Sequence, residues 1–64
     1  MMKKYEIYDG RVVYANKQLG AILLDNEQWY PFRYLDNGDL DIDEINGGFI
    51  KPSSAFKMAQ SIFT

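Results

Sequence analysis

The chain has 64 residues with a formal net charge of −2, and it contains no cysteine and no histidine. Its length predicts one domain over residues 1–64, and a single core of that size supplies roughly 3–5 kcal/mol of stability. The composition excludes disulfides, thiol nucleophiles, imidazole bases and the usual zinc ligands, and the acidic balance disfavours a partner held mainly through phosphates.

Turn signals divide the chain into short runs that alternate in polarity or are rich in β-branched and aromatic residues. Asn-Gly and Asp-Gly pairs suit tight hairpins because their central residues tolerate a positive φ. The pattern predicts a mainly β fold, as a small five-stranded antiparallel barrel or strongly bent sheet of the OB or SH3 type with a C-terminal helix. The predicted strands are residues 3–8, 11–15, 20–25, 28–35, 39–43 and 48–51.

Two positions in the strand region qualify this prediction. Pro31 cannot donate to a ladder, so we expect its strand to lie at an edge of the sheet or to be bulged there. Residues 41–46 are open to two interpretations. The strand interpretation is favoured, but Asp41 could instead cap a helical turn with Glu44 three residues later, ending at Asn46 and Gly47.

The end of the chain predicts a helix over residues 53–63, with a serine as its N-cap after Pro52. Five apolar side chains recur there at the spacing of one helix face: Ala55, Phe56, Ala59, Ile62 and Phe63. A single short helix cannot bury such a stripe alone, so we expect it to pack across an open end or face of the sheet.

The strand at residues 28–35 is the most informative segment, because it carries four of the ten aromatic residues beside an arginine. Alternation puts Tyr30, Phe32 and Tyr34 on one side and Trp29, Pro31 and Arg33 on the other, and at least one side must be core. Tryptophan and arginine together are typical interface anchors. The predicted partner-binding residues are Trp29, Tyr30, Phe32, Arg33, Tyr34 and Tyr14.

Residues 10–24 resemble the start of cold-shock domains, since Gly10, Tyr14, Asn16 and Gly20 match that family's glycine, first aromatic, asparagine and turn glycine. Residues 30–34 are similar to the family's third strand. The resemblance implies an OB-type barrel that binds single-stranded nucleic acid by stacking bases on aromatic side chains. The family's stacking positions on the second strand hold Leu19, Ala21 and Leu23 in this chain.

An acidic run follows the aromatic strand and consists of Asp36, Asp39, Asp41, Asp43 and Glu44. The alternate spacing of three aspartates suits calcium, but the EF-hand pattern lacks its glycine and its final glutamate, so no metal site is predicted. A negative contact for a basic partner, imitating nucleic acid, is a second interpretation. The favoured interpretation is a solvated strand face whose charges block edge pairing.

We expect a non-enzymatic protein without a cofactor, because the chain has neither a phosphate-binding loop nor a nucleophile elbow. It has no apolar run of about 18 residues, and with no cysteine the prediction is a cytoplasmic location.

The first functional hypothesis is a small regulatory or inhibitory protein that docks on another protein, by analogy with accessory proteins of phages and other mobile elements. The second is weak binding of single-stranded RNA or DNA through the aromatic residues and Arg33, assisted by Lys17. The third is a homo-oligomer that uses the aromatic patch as its own interface.

Overall fold

The computed structural model describes the backbone of residues 4–8, 11–16 and 18–63, and the side chains of residues 13–16 and 18–63. Each strand in these ranges pairs antiparallel with the next, in the order β1-β2-β3-β4-β5. The elements are β1 (Lys4–Tyr8), β2 (Arg11–Ala15), β3 (Leu19–Leu23), β4 (Trp29–Tyr34), β5 (Leu40–Ile42) and α1 (Pro52–Ile62).

The predicted mainly β fold with an antiparallel sheet and one C-terminal helix is confirmed at this level. The sheet is open, since β1 and β5 are not neighbours among the described strands, so of the two predicted forms, a barrel or a strongly bent sheet, the closed barrel is not formed. The order is a meander, in which each hairpin joins adjacent strands. A small antiparallel sheet does not by itself identify a cold-shock domain, so the resemblance to that family stays a prediction.

One face of the sheet, here called the helix face, is covered by α1. The helix packs mainly across β3 and β4. Ala55 and Ala59 are fully buried on the side of the helix turned to the sheet, and their small size lets the two layers approach closely. Phe56 is buried with them, against Leu19. The predicted stripe is thus largely the packed face, although Ile62 at its end is 36% exposed.

The opposite face, here called the open face, has its own core although α1 does not cover it. Val13, Ile22 and Phe32 are at most 1% exposed there. The Phe32 ring lies over Gly20, where an added Cβ would come within 2.6 Å of the ring. Half-buried side chains pack around this cluster and complete its cover, namely Leu24, Tyr30, Tyr34, Leu40 and Ile42.

Pro31 lies in a strand with neighbours on both sides, so of the two predicted alternatives, an edge position or a bulge, the edge position is wrong. Its carbonyl accepts a bond from the backbone N–H of Asp43, just past the end of β5, at 2.9 Å. In an antiparallel ladder the N–H and C=O of one residue point the same way, so the missing donor also faces Asp43. The β4–β5 ladder therefore stops after Ile42, and pairing resumes only at the isolated bridge between Trp29 and Phe49.

Among the described residues, the predicted strand at residues 48–51 pairs with the sheet only through that bridge and a hydrogen bond from the Gly48 N–H to the Trp29 carbonyl. Gly48 has a φ of +90°, which turns the chain, and α1 begins four residues later at Pro52. The extended stretch between them is too short for a strand. Residues 41–46 follow the favoured interpretation as far as Ile42, after which Asp43, rather than Asp41, caps a bend.

The predicted serine N-cap of the helix is wrong. Lys51 occupies the N-cap with an extended backbone and no side-chain cap bond, and Pro52 is the first helical residue. Proline is favoured at that position because its φ is already helical and its missing N–H would be unpaired in any case. Ser53 and Ser54 therefore fall inside the first turn.

The β3–β4 and β4–β5 hairpins use the same turn. In the first, the Glu27 N–H donates to the Leu24 carbonyl at 2.9 Å, and in the second the Gly38 N–H donates to the Leu35 carbonyl at 3.0 Å. The last loop residue is left-handed in both, with φ of +62° at Glu27 and +90° at Gly38. A type I turn followed by a left-handed residue is a common three-residue hairpin loop.

This pair of turns predicts opposite effects for two substitutions. Glycine adopts a positive φ freely, whereas other residues lose roughly 1–2 kcal/mol there, partly offset by the larger unfolded-state entropy of glycine. We expect Glu27→Gly to stabilise the fold by about 0.5–1 kcal/mol and Gly38→Ala to destabilise it by a similar amount. Urea unfolding measures both.

Gly38→Ala is a suitable reverse control because no atom lies within 4 Å of the Cβ that it adds. Only the backbone conformation is then tested. A Glu27→Gly variant less stable than the parent chain would show that the Glu27 side chain stabilises the fold by more than its backbone strain costs.

Candidate functional site

The sheet separates the six predicted partner-binding residues into two groups. Tyr14, Trp29 and Arg33 lie on the helix face, and the open face carries the others, which are Tyr30, Phe32 and Tyr34. The predicted alternation along β4 is therefore what the structure shows, but both of its sides contribute to a core. The six residues do not form one continuous patch.

Trp29 and Phe32 are interior residues of this fold. Trp29 is 8% exposed and packs with Ala21 and Ala55 beneath the helix, while Phe32 is fully buried on the open face. Tyr14 is half-buried and meets the Phe56 ring edge-on, with the ring centroids 5.9 Å apart. Trp29, Phe32 and Tyr14 therefore serve as packing residues. Little of the predicted partner-binding surface remains exposed on the helix face.

Arg33 is the most exposed residue of the helix-face group. Its Nε donates to Oδ2 of Asp41 at 2.9 Å, across the β4–β5 ladder. Its guanidinium carbon also lies 5.5 Å from the centroid of the Phe63 ring. With about half of each side chain exposed, such a pair contributes roughly 0.2–1 kcal/mol. Arg33 thus fastens the end of α1 to the sheet.

The acidic run divides into residues with structural partners and residues that face solvent. Asp41 pairs with Arg33, Asp39 accepts from the Asn37 amide, and Asp43 caps the bend after β5. Asp36 and Glu44 are exposed. Within the described residues, no three acidic, histidine or cysteine side chains are grouped so that they could hold a metal ion.

A groove on the open face was not predicted from the sequence. It has a volume of about 440 Å³ and lies between the tip of the β3–β4 hairpin and the end of β5. Its lining combines apolar side chains with carboxylates and an amide, as follows: Leu24, Asp25, Asn26, Tyr30, Ile42 and Glu44. Three separate segments contribute these residues, and no pattern within a single segment signals that they meet.

Tyr30 is one of the lining residues of this groove and is held in position by two contacts. Its hydroxyl oxygen lies 2.7 Å from the Nδ2 of Asn26, which donates to it. Its ring packs so tightly against the backbone of Gly47 that a Cβ at that position would overlap it. Of the predicted partner-binding residues, Tyr30 therefore has the best-defined position beside an open surface.

Residues 43–51, here called the β5–α1 loop, present two exposed isoleucines. Ile45 is 92% exposed and Ile50 is 88% exposed. The loop is nevertheless fixed at both ends. At one end, Oδ1 of Asp43 accepts from the N–H groups of Ile45 and Asn46 at 2.9 and 3.0 Å. At the other, Phe49 exchanges two backbone hydrogen bonds with Trp29.

The helix occupies the face of β3 on which the cold-shock resemblance would place a base-stacking platform. Leu19 packs against Phe56 and Ala59, and Ala21 packs against Ala55. Leu23 is half-buried beside the same cluster. In the described structure this face is therefore already filled by protein.

No protein-family model, curated protein or solved structure matches this chain. Within the described residues, no helix combines the length and the apolar character needed to cross a membrane. The groove and the β5–α1 loop are the surface features from which a function can be inferred.

The capping of the loop predicts a pH effect at Asp43. A hydrogen bond from the Asn46 side chain is the largest of the causes that lower the pKa of the Asp43 carboxyl, followed by the Asn46 backbone N–H. The charged cap therefore stabilises the fold above the ordinary aspartate pKa of about 3.9. That stabilisation is lost as the pH falls through the lower, folded-state value.

We expect Asn46→Ala to raise the pKa of Asp43 towards its ordinary value, because one of the bonds to the charged form is removed. NMR titration of the Asp43 carboxyl carbon measures this. Asn37→Ala removes the asparagine that donates to Asp39 in the β4–β5 hairpin and should leave the pKa of Asp43 unchanged. An Asp43 pKa that is the same in Asn46→Ala and the parent chain would contradict the assigned cause.

Proposed function

We propose that this protein is a non-enzymatic module that docks on another protein, in a regulatory or inhibitory role, through the β5–α1 loop. The observation that carries the proposal is the near-complete exposure of Ile45 and Ile50 in this short loop. Scattered apolar residues are common on surfaces. Two large ones on a loop fixed at both ends form a more specific feature.

The fixed loop matters because association requires the contacting groups to become ordered. A surface that is already ordered loses less conformational entropy on binding, so more of its burial energy appears as affinity. The Asp43 cap and the Trp29–Phe49 bridge provide this order before any partner arrives. Binding loops positioned by a rigid scaffold are a common arrangement in proteins.

Single-stranded nucleic-acid binding, together with the OB-type topology that the cold-shock resemblance implies, has less support. Trp29 and Phe32 are buried, and α1 covers Leu19 and Ala21. The groove that remains open is bordered by carboxylates, which repel phosphates. Self-association through the exposed isoleucines is the other alternative, and the experiment below separates it.

The test compares two double variants of the tagged chain. Fully burying an isoleucine is worth about 1.5–3 kcal/mol, so replacing two should weaken partner binding by at least about 100-fold. The parent chain should capture a protein partner from a lysate of the cells that it comes from. We expect the Ile45→Ser, Ile50→Ser double variant to capture much less of that partner. The control, Leu35→Ser with Ile62→Ser, alters side chains that are 38% and 36% exposed and should retain that partner.

Circular dichroism shows whether each variant is folded, and light scattering gives its mass. Equal capture by both double variants would contradict the proposal, as would the capture of no protein at all. A parent chain that is dimeric or larger, and that becomes monomeric only in Ile45→Ser with Ile50→Ser, would assign the surface to self-association instead.

A further inference from the structure

The open groove beside the β5–α1 loop is lined by both apolar and acidic residues. Leu24, Tyr30 and Ile42 supply apolar surface, and Asp25 and Glu44 supply carboxylates. None of the described residues that line it is basic. Its volume of about 440 Å³ lies within the range of typical ligand sites, about 300–1,000 Å³.

This combination matches the side chains of lysine and arginine, which join an apolar stem to a charged head. Such stems pack along apolar surface while the head stays near water or a counter-charge. Tyrosine adds an attraction for cations that approach its ring. An uncharged apolar side chain would contact the apolar residues but would not pair with the carboxylates. An anionic side chain would be repelled by the carboxylates.

Glu44 is the carboxylate best placed for a ligand. It is exposed, and its side chain makes no hydrogen bond or ion pair with any residue whose side chain the structure describes. It also adjoins Ile45 in the chain, so a segment that covers the isoleucine would pass close to the groove. Negative charge at this position would steer a basic segment towards the apolar contacts.

We propose that the groove accepts a lysine or arginine side chain from a basic segment of the partner protein. The stem lies against Leu24, Tyr30 and Ile42, and the cation lies beside Glu44 and Asp25. This inference rests on the proposed function, because it specifies the partner that the β5–α1 loop engages. It adds a charge requirement to an interface otherwise defined by two isoleucines.

The probe is N-acetyl-lysine amide, titrated into the ¹⁵N-labelled chain at low ionic strength, with N-acetyl-norleucine amide as an uncharged analogue of similar length. We expect the lysine derivative to shift the backbone amides of the groove residues and the norleucine derivative to shift them less. Raising the ionic strength from about 0.01 M to about 0.15 M shortens the screening length from about 30 Å to about 8 Å and should weaken lysine binding.

Two charge-matched variants identify the contact. Glu44→Gln should weaken lysine binding about two- to fivefold, the range for an exposed charge pair. Asp36→Asn removes one negative charge at the position in the β4–β5 hairpin that corresponds to Asp25 in the β3–β4 hairpin. We expect that control to bind as the parent chain does, because only a general effect of net charge would weaken both variants equally.

Three results would overturn the inference: equal shifts with the norleucine derivative, equal weakening in the two variants, or shifts centred outside the groove. The titration needs no partner, so it can fail while isoleucine-dependent capture succeeds, and then only the groove assignment is wrong. If lysine binds in the groove but no protein is captured, the proposed docking function fails instead.

Discussion

Strand β4 packs its side chains into two separate cores, and the rest of the fold depends on this. Trp29 lies beneath α1 on one side, and Phe32 is enclosed by the open-face cluster on the other. A chain of 64 residues buries a limited share of its surface, so one core on one face would leave it marginal. Using both faces of the same strand raises the amount of apolar surface removed from water without lengthening the chain.

This arrangement also decides where recognition can occur. Among the described aromatic side chains, Trp29 and Phe32 are buried in the two cores, and the helix fills the face of β3 that an open sheet would offer to a ligand. The β5–α1 loop and the groove, which the proposed docking uses, lie at one end of the sheet. Pro31 helps to create them, because its missing donor ends the β4–β5 ladder and the chain departs from the sheet after Ile42.

Features that depend on neighbouring residues were predictable from the sequence, whereas contacts between segments far apart in the chain were not. Alternation along β4 and the stripe containing Ala55 and Ala59 follow from strand and helix periodicity. The helix start was mispredicted because proline at the first helical position outweighed the serines. The groove joins Leu24, Tyr30 and Glu44, whose proximity depends on how the β3–β4 hairpin and the end of β5 meet in three dimensions.

The two equivalent hairpins differ in the residue that occupies their left-handed position, and this difference bears on the charge near the groove. Their turns share hydrogen bonds and an Asn at the second loop position, yet the left-handed residue is Gly38 in one and Glu27 in the other. Glutamate there is strained where glycine would be relaxed, and the strained turn is the one whose Asp25 and Asn26 line the groove. Glu27 adds negative charge to this turn, and under the proposed docking such charge accelerates association with a basic segment even without direct contact.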